Sequence, residues 1–252
     1  MDKRSEPKNG DRVSTVDLRE VAAGCGGSRR LTGYLAEPAG PGPHAGVVVL
    51  HEAFGLDEVS RRHVERVASF GYLALAPDLF SDGGARRCLI GTMRALASGR
   101  GRAYGDIEAC RQWLLQQPGC TGKIGVIGFC LGGGFVLMTL ASGFDVAAPN
   151  YGAVPAKLTE TAARACPVVA SYGGRDRSLR GAAAKLAAIL DQAGVPHDVK
   201  EYPAAGHSFL NDAPNGPRPL RPLGALVHAG PEPASAADAW RRIEAFFARY
   251  LA

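Results

Sequence analysis

The chain has 252 residues, 46% hydrophobic and 21% charged, with a formal net charge of +5. That make-up suits a soluble globular protein with a substantial core, and no apolar run reaches the length a bilayer demands. The basic residues are scattered, the nearest cluster being Arg86-Arg87, Arg94, Arg100 and Arg102, and no basic stripe alternates with aromatics, so neither nucleic acid nor a membrane is an expected partner.

Residues 1–12 are polar and carry Pro and Gly, which predicts a flexible N-terminal tail. The charged start lacks an apolar h-region, which makes the cytoplasm the expected compartment. Residues 13–252 read as one domain. Two short strands are predicted over 13–21 and 31–37, joined as a hairpin through Gly24-Cys25-Gly26-Gly27. Residues 45–50 form a continuous apolar strand of the kind buried on both faces of a parallel sheet. A helix over 57–70 and a strand over 72–77 follow, then helices over 86–97 and 104–117. Further strands are predicted over 123–129, 146–151, 167–172 and 199–202, with a helix over 179–193. A closing amphipathic helix runs to residue 251 from an N-cap at Ser235. Alternating strands and helices predict an α/β fold with a mainly parallel central sheet and helices on both faces. Residues 213–233 interrupt this order with six of the seventeen prolines. They read either as an irregular surface excursion or as a segment beside the functional site.

The chemistry centres on Gly128-Phe129-Cys130-Leu131-Gly132, a glycine-flanked turn between the 123–129 strand and an apolar helix. The spacing is that of the nucleophile elbow of α/β-hydrolases, with cysteine at its apex. Orphan N–H groups at the helix start favour an anion there and can hold a developing oxyanion. The plainer reading is a small buried cysteine in a Gly-rich turn. The other five cysteines, Cys25, Cys88, Cys110, Cys120 and Cys166, have no C-x-x-C or zinc-ligand spacing and read as free packing thiols.

A cysteine nucleophile needs a base and a group that orients it, and in this fold they follow in the order acid, then histidine. Asp176 lies just past the strand ending at Tyr172. His207 lies just past the strand ending at Tyr202, and of the six histidines it alone follows a Gly on a loop past a late strand. Taken singly, each is also an ordinary turn or loop residue. Glu52 ends a central strand. It is either a polar residue facing water or a group that hydrogen-bonds the thiol, and the N–H of the next residue, Ala53, can pair with that of Leu131 as an oxyanion hole.

Together, His51-Glu52-Ala53-Phe54-Gly55, Pro77-Asp78-Leu79, Gly128-Phe129-Cys130-Leu131-Gly132-Gly133, Gly173-Gly174-Arg175-Asp176 and Gly206-His207-Ser208-Phe209 resemble the dienelactone hydrolase family, the carboxymethylenebutenolidases. The resemblance covers about residues 30–210 and the last helix. It implies an α/β-hydrolase that cleaves an enol-lactone or small ester, with no cofactor and no metal. Cys130 would be the nucleophile, His207 the base and Asp176 its orienting acid. Glu52 would hold the resting thiol, and Leu131 and Ala53 would bind the oxyanion by their N–H groups. Phe54 and Ser208 are candidates to touch the substrate. The family binds a substrate carboxylate with arginines, one just after the histidine. Here residues 208–212 contain none, which leaves Arg94, Arg100, Arg102 or Arg218 for that role. The alternatives are a thioesterase or general carboxylesterase on the same residues, or a non-catalytic or thiol-redox protein retaining the fold.

Overall fold

The computed structural model describes residues 12–216 and 224–252. The expected tail, apart from Arg12, and Arg218 lie outside the described residues. Eight strands form one sheet in the order β1-β2-β4-β3-β5-β6-β7-β8. They are β1 Arg12–Asp17, β2 Thr32–Glu37, β3 His44–Leu50, β4 Leu73–Pro77, β5 Cys120–Phe129, β6 Val146–Asn150, β7 Val168–Gly173 and β8 His197–Tyr202. β1 and β2 are antiparallel, as are β2 and β4; from β4 to β8 every pairing is parallel.

The parallel strands have the apolar sequences that burial on two faces demands. Val47 and Val49 pack into one cluster and Val48 and Leu50 into the other, the alternation that successive residues of a strand impose. One face is covered by α2 (Glu58–Ser69) and by α8 (Pro233–Leu251), through Val64, Val67, Trp240, Ile243 and Phe247. The other is covered by α1 (Arg19–Gly24), α3 (Ala85–Ser98), α4 (Arg102–Leu115), α5 (Leu131–Met138) and α7 (Ala182–Gln192), with the short α6 (Leu158–Thr161) beside them.

From β3 the chain passes to β4 on one side and later to β5 on the other, so the order reverses between β3 and β5. Such a reversal opens a crevice at the carboxyl ends of the strands. Leu50 pairs with Gly128 and Phe129 with Asn150, which sets the ends of β3, β5 and β6 level at that crevice.

Three expectations are corrected. The strand expected over 13–21 stops at Asp17, and residues 19–24 are α1, because Leu18 and Ala22 fall at helical spacing and both are fully buried. The hairpin pairing itself stands, from Arg12 opposite Glu37 to Asp17 opposite Thr32, but a helix joins its arms instead of a turn. The closing helix begins at Pro233, earlier than expected: Pro at its first position suits the helix start, and Glu232 caps it by accepting the Ser235 N–H at 2.8 Å.

Trp240 anchors α8 beneath β5. It is 1% exposed, with its ring 5.8 Å from Phe129 and 5.6 Å from His63. Trp240→Ala is expected to cost about 3–5 kcal/mol, seen as a lower urea midpoint with an unchanged slope.

Candidate active site

The corner between β5 and α5 is shaped by what it lacks. A Cβ on Gly128 would lie 2.4 Å from the Gly132 carbonyl oxygen, and one on Gly132 would lie 2.3 Å from that of Leu50. Glycines at these two positions let strand, turn and helix meet backbone to backbone. Cys130 at the apex takes φ 52° and ψ −111°, a sparsely populated conformation that costs about 1–3 kcal/mol and persists only where neighbours over-determine it. Here the Cys130 N–H donates to the Asn150 carbonyl at 3.1 Å and the Gly134 N–H donates to the Cys130 carbonyl at 3.0 Å. The Asn150 side chain ties the end of β6 to β5 by donating to the Gly128 carbonyl at 3.3 Å.

Asp176 and His207 stand on the loops after β7 and β8. Those loops are sewn together by the Gly174 N–H to the Tyr202 carbonyl, 2.8 Å, and the Arg175 N–H to the Ala205 carbonyl, 2.9 Å. Asp176 Oδ2 lies 2.5 Å from His207 Nδ1. Its Oδ1 accepts from the Ser178 N–H at 3.0 Å and the Ser178 hydroxyl at 2.6 Å. Burial opposes ionisation of Asp176, which is 2% exposed, but His207 and Ser178 outweigh it and hold the carboxyl below its usual range. The carboxylate accepts, so Nδ1 donates, which leaves Nε2 for Cys130. Burial also opposes a charge on His207. Hydrogen bonds and electrostatic interactions with Asp176 and Cys130 overcome it and raise the imidazole from 6.5 to about 10. The Tyr151 ring packs 5.2 Å from the imidazole.

The segment returning at residue 224 completes the seat of the histidine. The His207 N–H donates to the Val227 carbonyl at 3.1 Å, and the Gly230 N–H donates to the His207 carbonyl at 3.0 Å. Of the two readings of the Pro-rich stretch, its described parts favour the one beside the site: Pro214, Asn215, Gly224, Val227, Ala229 and Gly230 line a cavity of about 400 Å³. The other lining residues are Glu52, Ala53, Phe54, Cys130, His207 and Ser208.

Glu52 is 4% exposed, so it does not face water. Its Oε2 accepts from the side chains of Asn215 and, at 3.5 Å, Asn211. The described hydrogen bonds of the Glu52 carboxylate run to these amides, and none of them runs to Cys130. Burial pushes the Glu52 carboxyl above its usual range, against the His207 charge and the hydrogen bonds of Asn215, Ser208 and Asn211. Burial, with the charge of Glu52, holds the Tyr151 hydroxyl well above its usual value, and among the described residues neither that hydroxyl nor Glu52 Oε1 has a hydrogen-bond partner. Among the described residues, the N–H groups of Leu131 and Ala53 donate to no protein acceptor.

The structure therefore brings together Cys130, His207, Asp176, Glu52, Ala53, Phe54 and Ser208, with Leu131 next to the cysteine. It does not bring Arg94, Arg100 or Arg102 to them: these line a separate cavity of about 410 Å³ with Ser28, Leu79 and Asp106. Tyr151, Ser178, Asn211 and Asn215 escaped the sequence reading. Only Ser178 left a signal, as a hydroxyl two residues after an aspartate in a turn.

Asp176→Asn is expected to lower the His207 value from about 10 toward 6.5, followed by NMR titration of the imidazole. A raised folded-state pKa stabilises fully below the unfolded value, and the contribution is lost as pH climbs through the folded one. The advantage of wild type over Asp176→Asn in urea denaturation should thus be larger near pH ~6 than near pH ~10.

The sequence model of the dienelactone hydrolase family matches residues 31–251. The carboxymethylenebutenolidase of Rhodococcus opacus is 31% identical over 232 residues, 86% of this chain and 86% of that protein. That of Pseudomonas putida is 28% identical over 200 residues, 73% of this chain and 83% of its own. Among solved structures, the dienelactone hydrolase-like promiscuous phosphotriesterase P91 from metagenomic libraries superposes with a TM-score of 0.80 at 24% identity, covering 97% of this chain and all of that one. The dienelactone hydrolase of Anabaena variabilis gives 0.67 at 18% identity, with 97% and 100% covered. These two likenesses establish the α/β-hydrolase architecture.

Proposed function

The chain belongs to the dienelactone hydrolase family, and from that premise we propose that this hydrolase cleaves a small ester or lactone through Cys130, His207 and Asp176 by way of an acyl-thiol. The observation that carries the reading is His207, held by Asp176 at Nδ1 and raised to about 10 by Asp176 and Cys130 together.

Sγ attacks the substrate carbonyl carbon, forming the C–S bond as the π pair moves onto oxygen. The Leu131 and Ala53 N–H groups receive that oxyanion, and preorganised donors of this kind act most strongly where water is excluded. Collapse breaks the C–O bond, and the leaving oxygen takes the proton from His207 Nε2. The imidazole, now neutral, removes a proton from water as that water attacks the acyl-thiol carbon. The second tetrahedral intermediate expels the Cys130 thiolate, releases the acid and restores the protonated His207. Burial raises the Glu52 carboxyl above its usual range, against the His207 charge and the hydrogen bonds of Asn215, Ser208 and Asn211.

The described lining of the cavity includes no arginine or lysine.

Cys130→Ala is expected to lower kcat on p-nitrophenyl acetate by at least about 10³-fold, while equal turnover by the variant and wild type defeats the reading. Iodoacetamide should alkylate Cys130 ahead of the other five thiols, of which Cys88, Cys110 and Cys166 are buried. Labelling spread evenly over all six would count against it. A panel of lactones, simple esters and acyl-thioesters then separates a lactonase from a thioesterase.

A further inference from the structure

His51, the residue after β3, is 1% exposed, and both of its ring nitrogens are engaged. The Leu79 N–H donates to Nε2 at 3.2 Å. A backbone N–H can only donate, so Nε2 is the bare nitrogen and the ring proton sits on Nδ1. Nδ1 lies 2.7 Å from the Glu52 carbonyl oxygen, which can only accept. The two partners thus select one tautomer of a neutral ring, since a protonated ring would set one N–H against another at Leu79. Burial also disfavours the charge, outweighing the Glu52 carbonyl and the carboxylates of Asp78 and Asp57.

The carbonyl that His51 grips belongs to the peptide unit whose N–H is that of Ala53. This peptide is planar and trans, so its C=O and N–H point in opposite directions. Gripping the oxygen from one side turns the Ala53 N–H away from His51, and Ala53 lines the cavity that holds Cys130 and His207. The same carbonyl also accepts the Gly55 N–H at 3.2 Å, which closes the turn behind it. The main chain of His51 sets the other wall: its carbonyl oxygen would be 2.8 Å from a Cβ on Gly132, the residue after Leu131. One residue therefore touches both the Glu52–Ala53 peptide and the first turn of α5.

We propose that His51 is a positioning residue of the oxyanion hole: its neutral imidazole, braced between the Leu79 N–H and the Glu52 carbonyl, aims the Ala53 N–H at the carbonyl oxygen of a substrate on Cys130. This rests on the reading of Cys130 as the nucleophile. His51 itself touches no reacting atom.

The test compares three variants with wild type and with Cys130→Ala, reading steady-state kinetics on p-nitrophenyl acetate beside the rate of Cys130 alkylation by iodoacetamide. Alkylation needs the thiolate but no oxyanion hole. His51→Phe keeps the ring volume against Phe80, 5.0 Å away, and removes both nitrogens. His51→Asn keeps an amide too short to reach both partners. His51→Gln places a donor and an acceptor at about the imidazole spacing. His51→Phe and His51→Asn are expected to lose about 10- to 100-fold in kcat with KM and alkylation near wild type, and His51→Gln to recover most of that loss. Unchanged kcat in His51→Phe or His51→Asn overturns the inference and leaves the nucleophile reading intact. So does a fall in alkylation that tracks the fall in kcat, or failure of both variants to fold, because each marks a purely structural residue. Turnover that survives Cys130→Ala overturns both readings.

Discussion

Everything in the site depends on three backbones meeting without side chains between them. The end of β3, the corner after β5 and the first turn of α5 approach until a single added methyl at Gly132 would strike the Leu50 carbonyl. That approach closes the crevice where the strand order reverses, and Ala53 and Cys130 both line the cavity that opens there. Cys130 is held at positive φ by bonds to β6 and α5. Its strained backbone is thus a product of the surrounding sheet, not of the local sequence.

Around that corner, environment gives two buried carboxyls different electrostatic characters. Asp176 meets a hydroxyl, an N–H and an imidazole, and is held ionised. Glu52 meets two amides with one oxygen, while the other has no partner among the described residues, and burial raises it. The two environments thus move the two carboxyls in opposite directions. Asp176 is bound to His207, whereas Glu52 is bound to the amides of Asn211 and Asn215.

The parts legible in the sequence were those encoded by local pattern. Apolar runs marked the parallel strands, and the spacing Gly128, Cys130, Gly132 marked the corner. The order of Asp176 and His207 after two late strands placed them on one edge of the sheet. Segments whose state is settled by distant partners were harder. Residues 19–24 look extended by composition, yet the burial of Leu18 and Ala22 beneath α4 makes them helical. Tyr151, Asn211 and Asn215 have no motif of their own, and they reach the site only because β6 ends beside the corner and the chain after Phe209 turns back over Glu52. The amides that hydrogen-bond Glu52 lie more than 150 residues further along the chain, where no local pattern points to them.

The contact between Gly206 and the returning segment has a consequence for how such a protein can change. A Cβ at Gly206 would fall 2.0 Å from the His228 carbonyl oxygen, and His207 is bonded through its main chain to Val227 and Gly230. The stretch that walls the cavity is therefore also part of the bearing on which the imidazole rests. Exchanging it for the corresponding loop of a relative would alter more than the shape of the pocket, because the histidine would be reseated with it. Specificity and proton transfer are mechanically one unit here, and variation that reshapes the pocket safely has to spare the residues touching that loop.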